Sequence, residues 1–114
     1  MINKEFINIE PEVWGSHFWN TIYYIIFSYD STDENCIRCV EMFFFSLGCL
    51  LPCPTCQEHY QNYFERNPIR SCVKNKNELI KWIYELQKEI QIRNKKTIKP
   101  FNLWFNEKKN KILN

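Results

Sequence analysis

The chain is poor in glycine, in net charge and in long apolar runs. Two glycines in 114 residues leave few places for tight turns or phosphate-cradling loops. The formal net charge is +2, with basic residues scattered among acidic ones. No field strong enough to gather nucleic acid follows from that, and such a partner is not expected. The most apolar run, Met42 to Leu51, is about half the length needed to cross a bilayer, so no membrane span is expected. The opening MINKEFINIEPEVWG has neither the apolar core of a secretory signal nor the Arg/Ser-rich pattern of a transit peptide. The expectation is a soluble protein made in the cytoplasm. No segment alternates with period two for long enough to be a strand, and there is no internal repeat or low-complexity linker.

Cysteine and aromatic residues, by contrast, are plentiful. Six cysteines are present, and a cytosolic chain seldom keeps disulfides for stability alone, so metal binding or redox chemistry gains weight. Lys, Asn and Ile make up roughly a third of the residues, far above ordinary usage. That bias suggests an AT-rich coding genome such as those of many large DNA viruses.

Apolar residues recur at helical spacing along the whole chain, and the length suits one domain spanning residues 1–114. A first helix is expected from Glu12 to Tyr29, with Val13, Trp14, Phe18, Ile22, Ile25 and Ile26 on its stripe and Pro11 at its first turn. A second runs from about Asp33 to Gly48 with Ile37, Val40, Phe44 and Leu47 inward, and LPCP ends it. Pro54 opens a third, to about Arg66, with Tyr60, Tyr63 and Phe64 inward, stopped by Asn67-Pro68. After a loop over 68–76, Asn75 or Asn77 caps a fourth carrying Leu79, Trp82, Ile83, Leu86 and Ile90. Pro100 begins a short last helix with Phe101, Trp104 and Phe105. The fold expected is all-α, an antiparallel four-helix bundle plus a short fifth helix.

LPCPTCQEHY, Leu51 to Tyr60, is the stretch with the most chemistry, and it admits three readings. With Pro54 as the first helical residue, Cys53 sits at the N-cap and Cys56 in the first turn, close enough for a disulfide. Unpaired amides and the positive end of the helix dipole favour a thiolate there, which suits thiol–disulfide exchange. A zinc reading joins these two to Cys36 and Cys39, with thirteen residues between the two pairs, and adds His17 or His59. Against it, the intervening helix of some fifteen residues extends about 20 Å, whereas zinc ligands must all approach within about 2.3 Å. The third reading is two inert buried thiols.

WGSHFWNTIYYI from Trp14, LPCPTCQEHY from Leu51, NELIKWIYELQKEI from Asn77 and KPF from Lys99 together resemble the ordered signatures of the Erv/ALR flavin-dependent sulfhydryl oxidases, the small viral members above all. The resemblance covers about residues 13 to 105. It implies FAD held non-covalently in the bundle beside Cys53 and Cys56, and a homodimer. Gly15 and Trp19 match the family's Gly-x-x-x-Trp, Ser16 stands where many members have a basic residue, and Tyr23 replaces a histidine. His59 and Tyr60 match the pair that follows the cysteines, and Trp82 matches as well. Gln87, Lys88 and Gln91 stand where members carry His-Asn-x-x-Asn; glutamine can hydrogen-bond and Lys88 can reach a phosphate. Tyr63, Tyr84, Lys96 and Trp104 complete the candidate flavin-binding set.

The mechanism that the resemblance implies begins with attack of a substrate dithiol on Cys53, the more exposed of the pair. Cys56 then faces the flavin, and oxygen finally yields hydrogen peroxide. The substrate would be a protein thiol or a thioredoxin-like relay protein, met in the host cytoplasm or a virion if the source is viral. Cys36 and Cys39 are a possible relay disulfide, Cys49 reads as a buried small hydrophobe, Cys72 lies in a polar loop, and no metal is expected. Two alternatives remain: a bundle that has lost flavin and serves as a docking module, and a zinc-stabilised interaction module.

Overall fold

Proline, asparagine and aspartate set the helix boundaries. A computed structural model describes residues 7–113 and contains five α-helices and, among the described residues, no strand. α1 runs Pro11–Ser28, with its proline at the first helical position where a missing N–H costs nothing. α2 runs Glu34–Leu50 behind the Asp33 carboxylate, which accepts from the Asn35 and Cys36 amides at 2.9 and 3.5 Å. α3 runs Pro54–Arg66 and α4 Lys76–Arg93, the latter capped by the Asn75 side chain on the Glu78 amide at 3.2 Å. α5 runs Phe101–Leu113.

Most differences from the sequence-based expectation are small. A single 3-10 turn, Ile69–Ser71, lies inside the expected loop and sends Ile69 and Val73 into the core. α5 is as long as α3, 13 residues each, because Phe101, Trp104, Phe105 and Ile112 keep helical spacing past the polar Asn106–Asn110 stretch and pack on the core. Val13, expected inward, is exposed, since its neighbours Trp14 and Phe18 take the inner side of α1. α4 ends with Lys96 N–H on Gln91 O at 2.8 Å and Lys95 N–H on Ile92 O at 3.1 Å, with Lys95 at φ 57°. This is the glycine-type helix stop made by a lysine, at a cost of roughly 1–2 kcal/mol.

The core is held by aromatic rings whose polar ends reach main-chain carbonyls. Trp82 of α4 has ring neighbours from α2 (Phe44, 5.8 Å) and from α3 (Tyr60 6.4 Å, Tyr63 5.1 Å, Phe64 6.1 Å). Its indole N–H donates to Asn67 O at 2.8 Å, and the Tyr63 hydroxyl returns a bond to Trp82 O at 2.8 Å. Tyr60 donates to Phe44 O at 2.5 Å, tying α3 to α2, and Tyr29 donates to Val73 O at 2.9 Å. The α2–α3 corner is closed by Gln57 on Leu51 O (2.7 Å) and Gln61 on Gly48 O (2.6 Å). Gly48 leaves room for that bond: a Cβ would stand 3.1 Å from Gln61 Cγ, and the glutamine side chain would have to shift by a few tenths of an ångström. α1 packs on α4 and α5.

Replacing Trp82 by alanine is expected to lower stability by about 3–5 kcal/mol, measured from urea unfolding. Trp82→Phe, which keeps a ring and loses the bond to Asn67, should lose less. A loss of under about 1 kcal/mol for the alanine variant would show that the ring cluster does not organise the core.

Candidate functional site

Between the first turns of α1 and α3 and the last two turns of α4 lies a cleft of about 400 Å³. α1 contributes Trp14, Gly15, Phe18 and Trp19, α3 contributes Cys56, His59, Tyr60 and Tyr63, and α4 contributes Leu86, Glu89, Ile90 and Arg93, with Cys53 at the corner. The walls are mainly apolar and aromatic, which suits a planar ring ligand. Gly15 has no atom within 4 Å of where its Cβ would stand, so a side chain there would project into open space beside the cleft. Glycine keeps that wall flat.

The two cysteines are positioned by helix capping. Cys53 is the N-cap of α3, and the Cys56 amide donates to its Sγ at 3.2 Å. Negative charge on Cys53 is therefore met by a main-chain donor at the positive end of α3. The expected order of exposure is reversed. Cys53 is only 8% exposed, whereas Cys56 is half-buried. The segment before α1 crosses the corner that precedes Cys53: Ile9 N–H donates to Pro52 O at 2.8 Å, and the Trp14 indole donates back to Ile9 O at 2.7 Å. Burial, reinforced by the neighbouring Cys53 sulfur, pushes the Cys56 thiol up to about 12, against the pull of the Arg93 guanidinium. Glu89 sits between Arg66 at 2.5 Å and Arg93 at 4.0 Å, so Arg93 is the looser partner and its charge is available to the cleft. Burial likewise raises the phenols of Tyr60 and Tyr63, which stay neutral.

The residues singled out in the sequence fall into two adjoining groups. Gly15, Trp19, Cys53, Cys56, His59 and Tyr63 line the cleft. Tyr23, Tyr84, Gln87 and Trp104 form a neighbouring cluster, joined to it by the stack of Trp19 on Tyr23 at 6.3 Å. Within that cluster the Gln87 amide donates to the Tyr23 hydroxyl and accepts from the Trp104 indole, and Tyr84 donates to Lys99 O at 2.5 Å. Gln87 thus braces α1, α4 and α5 rather than facing the cleft, because both of its polar atoms already have protein partners. Ser16, Lys88, Gln91 and Lys96 are not among the cleft-lining residues. On α4 the lining positions are 86, 89, 90 and 93, and one residue further along turns a side chain about 100° away. Trp14, Phe18, Glu89 and Arg93 were not foreseen. The spacing 86, 89, 90, 93 was the available signal, a second helical stripe beside the one marked by Gln87 and Gln91.

The remaining cysteines stay apart from this site. α2 is regular throughout, so about 20 Å of helix separates Cys36 in its first turn from the corner at Cys53. A relay within one chain is therefore not assembled. Cys36 packs against the core, while Cys39 and Cys49 are exposed; Cys49 is not the buried hydrophobe expected. Among the described residues no group of three or more His, Cys, Asp or Glu is placed to hold a metal ion. No helix of the described residues is long and apolar enough to cross a membrane.

Residues 16–111 match the family model described as the Erv1 / Alr family. The chain is 26% identical over 88 residues to a protein of Invertebrate iridescent virus 3 named "Putative FAD-linked sulfhydryl oxidase", covering 76% of this chain and 60% of that protein. It is 32% identical over 63 residues to a protein of Fowlpox virus (strain NVSL) named "Probable FAD-linked sulfhydryl oxidase", covering 55% of this chain and 63% of that protein. The chain spans less than two thirds of the length of these curated relatives. No solved structure gave a significant match.

The raised Cys56 thiol sets a pH dependence. Alkylation consumes the thiolate, and a thiol moved from near 9 to about 12 holds its proton through the range in which an ordinary one loses it. In the fully reduced protein, iodoacetamide labelling of Cys56 is expected to climb about tenfold per pH unit across pH 8 to 10 without levelling. Mass measurement of quenched samples reads this directly, and a plateau at or below pH 9 would contradict the assigned environment.

Proposed function

The chain belongs to the Erv1/Alr family, and we propose that it is an FAD-linked thiol oxidase that makes disulfides in protein substrates. The observation that carries the reading is a Cys-x-x-Cys pair opening α3 on the wall of an aromatic cleft. The names of the two viral relatives support the same activity. Those relatives, together with the Lys/Asn/Ile-rich composition, support a source in a large DNA virus and work in the host cytoplasm or the virion.

In the oxidised enzyme Cys53 and Cys56 share a disulfide. A substrate thiolate attacks one sulfur, forming a mixed disulfide and releasing the other as thiolate; the second substrate thiolate then displaces the enzyme sulfur. The substrate leaves as a disulfide, having given up two electrons and two protons, and the pair is left as a dithiol. The Cys56 amide holds negative charge on Cys53 when the pair opens. The raised Cys56 thiol retains its proton in the dithiol state, so that the reduced pair is stored with at most one charge. FAD, when bound, accepts the two electrons of the pair and delivers them to oxygen, giving hydrogen peroxide.

The residues present fit such a group. Trp14, Phe18, Trp19 and Tyr63 offer ring faces, Gly15 leaves its wall flat, and His59, Arg93 and Asn94 supply polar contacts at the same cleft. A second reading, a bundle that has lost flavin, is favoured by one feature, the engagement of both Gln87 polar atoms by Tyr23 and Trp104.

The purified protein is expected to be yellow, with flavin absorbance at about 450 nm, and to consume oxygen with dithiothreitol. Cys53→Ser and Cys56→Ser should each abolish turnover in a protein that remains helical; substantial activity in either would sink the assignment of the pair. A colourless protein that takes up no added FAD favours the flavin-free reading. Gly15→Leu separates binding from folding. Its side chain enters open space and replaces a helical glycine, so stability should hold or rise by up to about 1 kcal/mol while flavin retention falls. Undiminished flavin in that variant would place the cofactor elsewhere.

A further inference from the structure

We infer that the Pro52 carbonyl and the Trp14 indole form a main-chain clamp for an extended, cysteine-bearing segment of the substrate, and that the chain's own Ile9 fills this clamp at rest. The inference rests on the oxidase reading and adds the class of substrate and its way to the sulfur. Ile9 donates its N–H to Pro52 O at 2.8 Å and accepts at its C=O from the Trp14 indole at 2.7 Å. Both main-chain groups of one residue are held, as a strand residue is held by its neighbour in a sheet. Side chains add little, since every residue from Ile7 to Glu10 is exposed, Ile7 at 74% and Ile9 at 39%. The two bonds are blind to side-chain identity, so any extended segment with a free N–H and C=O fits as well as Ile9 does.

The clamp lies where the chemistry needs it. Pro52 directly precedes Cys53, their Cα atoms are about 3.8 Å apart, and one extended residue rises about 3.3 Å. A cysteine at the clamped position or beside it therefore comes level with Cys53. Because Cys53 is only 8% exposed, the incoming thiol has to displace the Ile9 strap. Little resists that movement. Glu10, the N-cap of α1, is extended at φ −61°, ψ 136°, and its carbonyl holds the Val13 amide at 2.8 Å, so α1 stays closed when the residues before it swing away. The arriving segment replaces both bonds that it breaks. Its thiolate then attacks Cys53 Sγ, the Cys53–Cys56 bond breaks, and Cys56 leaves with the electron pair. A cysteine inside a helix has its main-chain groups already engaged, so the substrate is a cysteine in an extended or unfolded stretch.

The test uses neither flavin nor oxygen, so its failure and that of the oxidase reading are separable. In reduced Cys56→Ser protein, the Cys53 thiolate attacks cystamine, forming a mixed disulfide and releasing cysteamine; peptide mapping of quenched samples counts the adduct, with exposed Cys39 and Cys49 as internal references. Ile9→Pro lacks the donated N–H and Trp14→Phe lacks the indole donor. Each should label Cys53 about two- to tenfold faster, the contribution of one hydrogen bond, with helical circular dichroism unchanged. Ile9→Ala keeps both bonds and should stay within about twofold of the parent. The substrate side is read with a single-cysteine peptide presented as its mixed disulfide with nitrothiobenzoate, which leaves with the electron pair as Cys53 captures the peptide sulfur. N-methyl groups are placed in turn on the cysteine and on each flanking residue, and rates are taken relative to those with glutathione. One of the three should slow capture by about two- to tenfold. Parental labelling of Cys53 in either Ile9→Pro or Trp14→Phe overturns the strap, and equal capture of methylated and unmethylated peptides overturns the clamp.

Discussion

The indole of Trp82 is the interaction on which the rest of the structure depends. It is the one side chain of α4 in ring contact with both α2 and α3, and its bond to Asn67 O fixes where α3 ends. Because α3 is 13 residues of regular helix, fixing its C-terminus also fixes its N-terminus, where the cysteine pair sits. The answering bond from Tyr63 to Trp82 O leaves α3 little freedom to turn about its axis. One face of Tyr63 thus braces the bundle, while the same residue lines the cleft.

A core so rich in aromatic rings must place many hydroxyl and indole donors, and here the main chain receives most of them. Tyr29, Tyr60, Tyr63, Tyr84, Trp14 and Trp82 all donate to backbone carbonyls. Among the described residues no buried side-chain polar atom lacks a partner. Each such bond contributes only about 1 kcal/mol net, but leaving a donor unpaired would cost about 1–3 kcal/mol. The geometry is therefore specified more sharply than apolar packing alone would achieve. Surface ion pairs such as Arg70–Glu41 and Lys99–Glu107 add little by comparison.

Protein interiors leave few voids larger than a water molecule, yet some 400 Å³ stays open between α1, α3 and α4. A glycine keeps one wall flat, the start of α3 brings the Cys56 amide and its half-buried thiol, and the end of α4 brings the outer arm of the Arg66–Glu89–Arg93 chain. A planar ligand in that space would restore the contacts its lining lacks, so binding and stability are coupled.

How much of this was legible in the sequence depends on whether a feature is local. Helix positions, the Pro54 start, the Asn75 cap and the stripe Ile37, Val40, Phe44, Leu47 are set by spacing within one element, and they agree with the structure within a residue or two. The family resemblance is likewise carried by short ordered motifs, and it led to the pair Cys53 and Cys56. What spacing cannot say is which neighbour covers a given face. Gln87 could have lined the cleft or braced Tyr23 and Trp104; the rotation of α4 against α1 and α5 chose the second. Cys53 at a helix entrance could have been open, but the crossing of Ile9 over Pro52 buried it. Sequence alone determined the helices and their apolar stripes, because the backbone repeat of 3.6 residues is intrinsic to the chain. Only the tertiary structure decided which side chains share the cleft, since that is fixed by how separate helices rotate to pack their rings and satisfy their donors together.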